Sequence, residues 1–299
     1  YFNYIEFVDN FNGNENLNRN LKKVSLFDSF QCRPFLITDR IINLKKFEKH
    51  DRIGEGSHSI AYEIIYTENR KKFAAKIMKK EFFKDFENEN DSINLKREVT
   101  ILQKLDHPAI VKFVGYSPVS FDNSYNPVIV TELVSNHSLE EIINLERNGL
   151  AREFWNETKK LINIYGIASS MSYLHSLNIL HRNLKPSNIL IDELFHPKLA
   201  DFGLSKEIDQ NQDDLLRKDE TPLLGTYVYI APEVYSNLEY SKASDVYAFS
   251  LIIYEIVSNQ KPFLGSTVYQ IMTNAVNCFR PNLNFNLPSC YKKLIEACW

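Results

Sequence analysis

The chain has 299 residues, of which 44% are hydrophobic and 24% are charged, proportions that are ordinary for a globular protein. Its 35 Lys and Arg residues against 38 Asp and Glu residues give a net charge of −3, which offers no electrostatic reason to expect a nucleic-acid partner or an anionic membrane surface. No apolar run approaches the roughly 18 residues that a membrane span needs. The cysteines show no metal-binding spacing, so we expect reduced thiols in a cytoplasmic protein; they are Cys32, Cys278, Cys290 and Cys298.

Residues 1–46 differ in composition from the rest of the chain. The stretch FNGNENLNRN at 11–20 contains five asparagines and too little apolar surface to offset the entropy lost on ordering. We therefore expect residues 1–46 to be an N-terminal extension that is partly disordered. Because the chain begins at Tyr1 and shows no secretion signal, we also expect it to be a segment of a longer protein.

From residue 47 to residue 134 the pattern predicts strands and one main helix. Short apolar runs bounded by polar residues are typical of strands, and TENR at 67–70 is typical of a hairpin turn. The expected strands are 50–56, 59–67, 72–80, 110–116 and 127–134. A polar break at 84–92 precedes a helical pattern at 93–105, whose apolar residues are weighted to one face.

From residue 135 to residue 299 the pattern is mainly helical. Residues 158–177 carry apolar side chains at helical spacing. Residues 244–259 form another helical run that is apolar on nearly all sides, which indicates a buried helix. A strand-rich part followed by a helix-rich part predicts an α+β protein with two lobes.

Two features of the strand-rich part indicate contact with an anion. In GEGSHSIA (54–61), Gly54 and Gly56 would let backbone N–H groups approach phosphate oxygens, although an ordinary hairpin turn explains the same pattern. Lys76 lies on an apolar strand, where an ammonium group is costly unless it meets an anion. Glu98 on the predicted helix is a candidate partner for Lys76.

Further motifs follow in a fixed order: HRNLKPSN at 181–188, LADFGLSK at 199–206 and GTYVYIAPE at 225–233. With the glycine motif and FAAK at 73–76, they make residues 47–299 resemble the protein kinase family. LKPSN and GTxxYxAPE resemble the Ser/Thr type, while IVTEL, SDVYAFS and LIEACW resemble the tyrosine-kinase-like group. The resemblance implies an N-lobe at 47–134, a C-lobe at 135–299 that ends before the family's last helices, and an ATP cleft between them.

Residue by residue, the resemblance implies an Mg-ATP site facing a protein substrate or a regulated protein partner. The residues implied to bind ATP are Ile53, Gly54, Glu55, Gly56, Ala61, Ala74, Lys76, Thr131, Glu132, Val134 and Leu190. Those implied to serve phosphoryl transfer are Lys76, Glu98, Lys185, Asp201 and Asn183, the last at the position of the family's catalytic aspartate. Asn188 and Asp201 are implied to hold Mg²⁺. A buried stack of Leu102, Phe113, His181 and Phe202 is implied to link the lobes, with Asp245 beneath the catalytic loop and Thr226 beside the substrate.

Asn183 is the departure that bears most on activity. The family's aspartate accepts a proton from the substrate hydroxyl, whereas an amide cannot take one near neutral pH. Loss of a general base costs roughly 10²–10⁴ in rate. Asp192 and Glu193 cannot substitute, since both are expected in the turn after the following strand. Two readings stay open: a slow or conditionally active Ser/Thr kinase, and a pseudokinase that binds nucleotide and regulates a partner.

Other departures concern the glycine loop, the chain end and the activation segment. Ser59 occupies a position where the family often has glycine, and we expect only modest weakening of phosphate binding. Glu233 is expected to be a buried carboxylate whose family partner lies beyond Trp299. Acidic residues between Asp209 and Glu220 could order the activation segment by approaching the catalytic-loop arginine, or could simply be solvated; Thr221 is the candidate phosphorylation site.

Overall fold

The computed structural model describes residues 40–56, 58–79, 89–151, 155–208, 227–283 and 287–299. The described residues form a strand-rich part followed by a helix-rich part, which confirms the α+β, two-lobed fold expected from the sequence. Within the same residues, no helix is long and apolar enough to cross a membrane.

The strand-rich part is an antiparallel sheet with one long helix. Its elements are β1 (Phe47–Glu55), β2 (Ser59–Tyr66), β3 (Lys72–Met78), α1 (Glu89–Lys104), β4 (Phe113–Ser117) and β5 (Val128–Glu132). The strand order is β1–β2–β3–β5–β4. The predicted turn joins β2 to β3, where Arg70 adopts a positive φ of 59° and its N–H donates to the carbonyl of Tyr66 at 2.9 Å.

The helix α1 begins at Glu89, before the expected start at residue 93. The residues from 89 to 92 carry no apolar periodicity, so a pattern search assigns them to the preceding polar break. The face that α1 turns toward the core carries Val99 and Leu102, both buried, and Leu105 directly after the helix is buried as well. This face packs into the main hydrophobic core together with Phe113 of β4.

The helix-rich part surrounds one buried helix. Its helices are α2 (Leu139–Arg147), α3 (Glu157–Ser176), α4 (Pro232–Asn237), α5 (Lys242–Ser258), α6 (Val268–Val276) and α7 (Ser289–Cys298). Short strands accompany them: β6 (Ile179–Leu180), β7 (Ile189–Ile191), β8 (Pro197–Leu199) and β9 (Lys206–Glu207). Most side chains of α5 are buried, as its nearly all-round apolar pattern predicts.

Backbone hydrogen bonds join the two parts beside the cleft. The N–H of Val111 donates to the carbonyl of Leu199 at 2.9 Å, and the N–H of Leu199 donates to the carbonyl of Ala109 at 2.8 Å. Within the helix-rich part, directly after the boundary at residue 134, the N–H of Asn136 donates to the carbonyl of Ile191 at 3.2 Å. The first two contacts hold β8 against the strand-rich part, and β8 pairs with β7, which directly follows the catalytic loop.

Residues 40–46 pack on the sheet rather than standing apart from it. The backbone at Ile41 pairs in parallel with Tyr116 of the edge strand β4, and Ile42 and Leu44 are buried in a second apolar core on the sheet. Gly115 makes this possible, because a Cβ there would lie 2.3 Å from Cγ2 of Ile42. Residues 1–39, which include the asparagine-rich stretch and Cys32, lie outside the described residues.

Candidate active site

The centre of the cleft is an ion-paired cluster around Lys76. Its ammonium group lies 2.7 Å from Oε1 of Glu98 on α1 and 3.0 Å from Oδ1 of Asp201. Glu98 is only 5% exposed, so it is a buried partner of Lys76 and not the solvated surface residue that a polar helix face most often carries. The cluster brings together side chains from β3, α1 and the segment after β8.

The electrostatics of this cluster favour the charged forms of Lys76 and Asp201, whereas burial raises the pKa of Glu98. Burial alone would lower the pKa of Lys76, but Asp201 and Glu98 outweigh burial and raise that pKa above its usual value. The Lys76 ammonium group lowers the pKa of Asp201 to about 2, with Lys185 contributing in the same direction. At neutral pH the cleft therefore contains an ionised Asp201 carboxylate held by a protonated lysine.

Asn183 lies against Asp201. Its side-chain Nδ2 donates to Oδ2 of Asp201 at 3.1 Å, and its backbone carbonyl accepts a hydrogen bond from Nδ2 of Asn188 at 2.7 Å. Asn188 ends the 3₁₀ helix Pro186–Asn188, whose first residue is a proline suited to a helix start. The hydrogen bond uses the amide nitrogen of Asn188 and leaves its oxygen for a ligand.

The catalytic loop is held from below by Asp245 of α5. Its carboxylate accepts hydrogen bonds from the backbone N–H groups of His181 and Arg182, both at 2.9 Å, and from Nε2 of His175 at 3.0 Å. Arg182 and Asp201 adopt positive φ angles of 64° and 62°, a conformation that is uncommon for residues other than glycine. Such backbone strain persists where the surroundings enforce it, and it occurs often at functional sites.

The four residues of the implied stack between the lobes are all buried. The rings of His181 and Phe202 meet edge to face with centroids 5.1 Å apart, and Leu102 and Phe113 belong to the same core. Burial lowers the pKa of His181, which favours the neutral ring, and its Nε2 lies 3.2 Å from the carbonyl of Ala200. The stack connects α1 and β4 to the catalytic loop.

The glycine motif forms the turn between β1 and β2. Gly54 pairs with Ala61, and the N–H of Gly56 donates to the carbonyl of Ser59 at 2.9 Å. Among the described residues, a Cβ at Gly54 would touch only Cβ of Ala61, at 3.9 Å, so the backbone here is open to a ligand. Ile53 is 48% exposed, and Glu55 lies 2.5 Å from the ammonium group of Lys79 at the base of the turn.

The residues implied to surround adenine come from both lobes. Ala61 is opposite Lys76, and Ala74 is opposite Thr131 in neighbouring strands. On the C-lobe side, Leu190 lies on β7 next to Ser138. Strand β5 ends at Glu132, and two residues later Val134 packs against the main core.

Some features of the site were not predicted from the sequence. The side chain of Glu132 binds the ammonium group of Lys198 and the N–H of Lys112, each at 2.9 Å, so it ties β5 to β8. In the sequence Glu132 is only an acidic residue at the end of a predicted strand, and this pattern does not indicate which residue it contacts. The hydrogen bond that Asn183 donates to Asp201 was also missed, because it links side chains far apart in the sequence.

The remaining sequence-based expectations have three different outcomes. Glu233 is half-buried in the first turn of α4, where a helix N-terminus favours negative charge, so the expectation of a buried carboxylate is wrong. Asp192 lies in the turn after β7, as expected, and its carboxylate accepts backbone hydrogen bonds there. Thr221, Thr226 and the acidic residues between Asp209 and Glu220 lie outside the described residues.

The donor set fits a magnesium ion that also binds phosphate oxygens. Within the described residues, no group of three His, Cys, Asp or Glu side chains is placed to hold a metal by itself. Mg²⁺ commonly rests on one or two protein oxygen ligands, with waters and substrate phosphates completing its shell. The Asp201 carboxylate and the Asn188 amide oxygen can supply such ligands.

Comparison with known proteins gives the same family. The protein kinase domain model matches residues 47–299. Serine/threonine-protein kinase AtPK1/AtPK6 of Arabidopsis thaliana is 32% identical over 76% of the chain and 44% of its own length. Serine/threonine-protein kinase polo of Drosophila melanogaster is 31% identical over 86% of the chain and 41% of its length, and dual specificity protein kinase shkB of Dictyostelium discoideum is 30% identical over 85% and 37%.

The chain therefore spans less than half the length of these curated relatives. Protein kinase domains in general use ATP, a divalent metal and a protein substrate. The matched region contains the Lys76–Glu98 pair, the catalytic loop and Asp201 within one cleft. By its sequence match and its fold, the chain belongs to the protein kinase family.

Proposed function

We propose that this domain binds Mg-ATP in the cleft between its lobes and that its Ser/Thr-type phosphotransfer is weakened or lost. The observation that carries the proposal is the amide of Asn183, which occupies the general-base position and donates to Asp201 in an otherwise assembled site. The proposal includes a cytoplasmic location and a role in signalling, with the domain acting on or regulating a protein partner.

The roles proposed for the cleft residues are those that the family resemblance implies, and the contacts described above support them. Lys76, held by Glu98, would bind the α and β phosphates, and the open backbone at 54–56 would cover them. Thr131, Glu132 and Val134 would line the adenine pocket with Ala61, Ala74 and Leu190. Asp201 and Asn188 would hold Mg²⁺, which neutralises charge developing on the phosphates.

Asn183 limits what the chain can do with a bound nucleotide. An amide can orient a substrate hydroxyl by accepting a hydrogen bond through its oxygen, but it has no basic site for the proton. Lys185 would still offset negative charge on the transferred group. Because positioning and electrostatics dominate phosphoryl transfer, slow turnover without a base is compatible with the site.

The two candidate functions, pseudokinase and slow Ser/Thr kinase, therefore differ only in the rate of phosphotransfer that remains without the base. A pseudokinase that regulates a partner is favoured by the missing base. A slow or conditionally active Ser/Thr kinase is favoured by the intact Lys76–Glu98 pair and the buried His181–Phe202 stack. Within the family, the motifs IVTEL and SDVYAFS support placement in the tyrosine-kinase-like group.

Nucleotide binding is tested by thermal denaturation during titration with Mg-ATP. A ligand that binds only the native state stabilises it by about 2.7 kcal/mol at a hundredfold excess over Kd. We expect a rise in Tm for wild type and little rise for Lys76→Met. Lys72→Met is the matched control, since Lys72 lies on the same strand but pairs with Glu63 outside the cleft. No rise in wild type at millimolar Mg-ATP would contradict the proposal.

A further inference from the structure

The outer face of α6 is apolar and exposed, at a distance from the nucleotide cleft along the chain. Val268, Tyr269 and Val276 are exposed and share one side of the helix, since residues seven or eight apart return to nearly the same angle. Exposed Leu264 and Phe279 extend this face before and after the helix. Single exposed apolar residues are normal on a protein surface, whereas a group of this kind marks an interaction site.

The opposite side of α6 holds the helix in place. Ile271 and Ala275 are buried there, and the helix contacts α4 and the 3₁₀ turn Tyr227–Tyr229. At its N-terminus a capping box is complete, because the N–H of Thr267 donates to Oε1 of Gln270 at 2.8 Å and the Thr267 hydroxyl accepts from the N–H of Gln270. The outer face of α6 is therefore preformed, which lowers the entropy cost of binding a partner.

The charge pattern of this segment is compatible with a second copy of the same face. Residues 262–279 contain no Asp, Glu, Lys or Arg. In a two-fold symmetric contact the same surface meets itself, so any charge near the axis would face a like charge. The exposed polar side chains Gln270 and Asn277 carry amides, which both donate and accept and can pair with their own copies.

The size of the face is also sufficient for a dimer. The exposed fractions of the five apolar side chains correspond to on the order of 600 Å² of accessible surface per copy. Two copies would cover about 1,200 Å², the lower end of the range for specific protein interfaces. A weak dimer is what this area permits.

We propose that the outer face of α6 is a homodimer interface, in which α6 packs antiparallel against α6 of a second copy. The two-fold axis passes near Met272, so Tyr269 lies across from the partner's Val276. This interface is independent of nucleotide binding and places the second copy beside the segment that contains Tyr227–Tyr229.

Sedimentation equilibrium of the full chain tests the proposal, and we expect a monomer–dimer equilibrium with Kd between about 1 and 100 µM. Tyr269→Glu adds a charge to each copy within the contact and should raise this Kd by about tenfold or more. A glutamate in the first turn of α6 suits the helix N-terminus, so the fold is retained. Tyr165→Glu on α3 is the matched control and should leave Kd unchanged, since Tyr165 is 75% exposed and Tyr269 is 77% exposed.

A second substitution at Val276 tests the antiparallel arrangement. Adding Val276→Lys to Tyr269→Glu brings opposite charges together at both ends of the contact, so Kd should return toward the wild-type value. Adding Val276→Glu instead should raise Kd further. A wild type that stays monomeric at several hundred micromolar, a Tyr269→Glu variant that dimerises like wild type, or equal weakening by Tyr165→Glu overturns the interface. Equal effects of the lysine and the glutamate at 276 overturn its antiparallel arrangement.

Discussion

At the scale of single residues, the sequence identifies which side chains matter better than what they contact. The motif order predicts Lys76, Asn183 and Asp201 in one site, and the structure brings Lys76 and Asn183 each within hydrogen-bond distance of Asp201. The direction of the Asn183 hydrogen bond could not be predicted, because it depends on how two loops approach each other. The same holds for Glu132, whose partner Lys198 lies on a different strand.

A second buried carboxylate predicts a pH dependence of stability. Glu255 of α5 is 2% exposed, accepts a hydrogen bond from the Tyr229 hydroxyl and lies 4.0 Å from Arg147. Burial raises its pKa to about 7, although Tyr229, Lys261 and Arg147 oppose this and Glu140 reinforces it. The pKa of Glu255 in the folded state exceeds its ordinary value of 4.5, so the protonated carboxyl group favours folding. This contribution to the free energy of unfolding is complete below about pH 4.5 and is lost as pH rises through about 7.

Glu255→Gln tests this dependence, because an amide keeps the shape and does not titrate. We expect the variant to gain stability relative to wild type as pH rises from 5 to 8, by roughly 1–3 kcal/mol at the upper end. The measurement is the difference in Tm between the two proteins across that range. Glu193→Gln, in an exposed turn, is the control. A difference that does not change with pH would contradict the raised pKa of Glu255.

At the scale of elements, periodicity predicts the long helices and most strands, but not every boundary. The predicted start of α1 at residue 93 was too late, because the first residues of the helix, from Glu89, carry no apolar pattern. Residues 40–46 were expected to belong to a partly disordered extension, yet Ile42 and Leu44 are buried. Two apolar residues are too few to show periodicity, and their pairing with β4 is a long-range contact that local sequence does not reveal.

The contact between residues 40–42 and β4 predicts that Gly115 cannot be replaced without cost. A Cβ at Gly115 would lie 2.3 Å from Cγ2 of Ile42 and 2.9 Å from the carbonyl oxygen of Arg40. We expect Gly115→Ala to lower stability by about 1–3 kcal/mol, as overpacking does, measured by urea denaturation. In the double variant with Ile42→Ala, part of the overlap disappears, so the two losses should be less than additive. Fully additive losses would contradict the packing of residues 40–42 on Gly115.

At the scale of the whole molecule, the two parts meet at a cleft whose walls come from distant segments. The Lys76–Glu98 pair joins β3 to α1, and Asp201 brings the C-lobe to the same cluster. The ordered motifs of the sequence predict this assembly, since each belongs to a family whose fold brings them together. They do not predict the rate of the proposed phosphotransfer, which we expect to depend on one amide in place of one carboxylate.

That rate is tested most directly by radiolabel transfer to a generic Ser/Thr substrate at saturating ATP and Mg²⁺. Asn183→Asp restores a group that can accept the proton, in a side chain of nearly the same shape, and Asp201→Asn supplies the background. We predict a rate for Asn183→Asp on the order of 10²-fold or more above wild type, the lower end of what a general base provides. Equal rates for wild type and Asn183→Asp, both well above Asp201→Asn, would contradict the account.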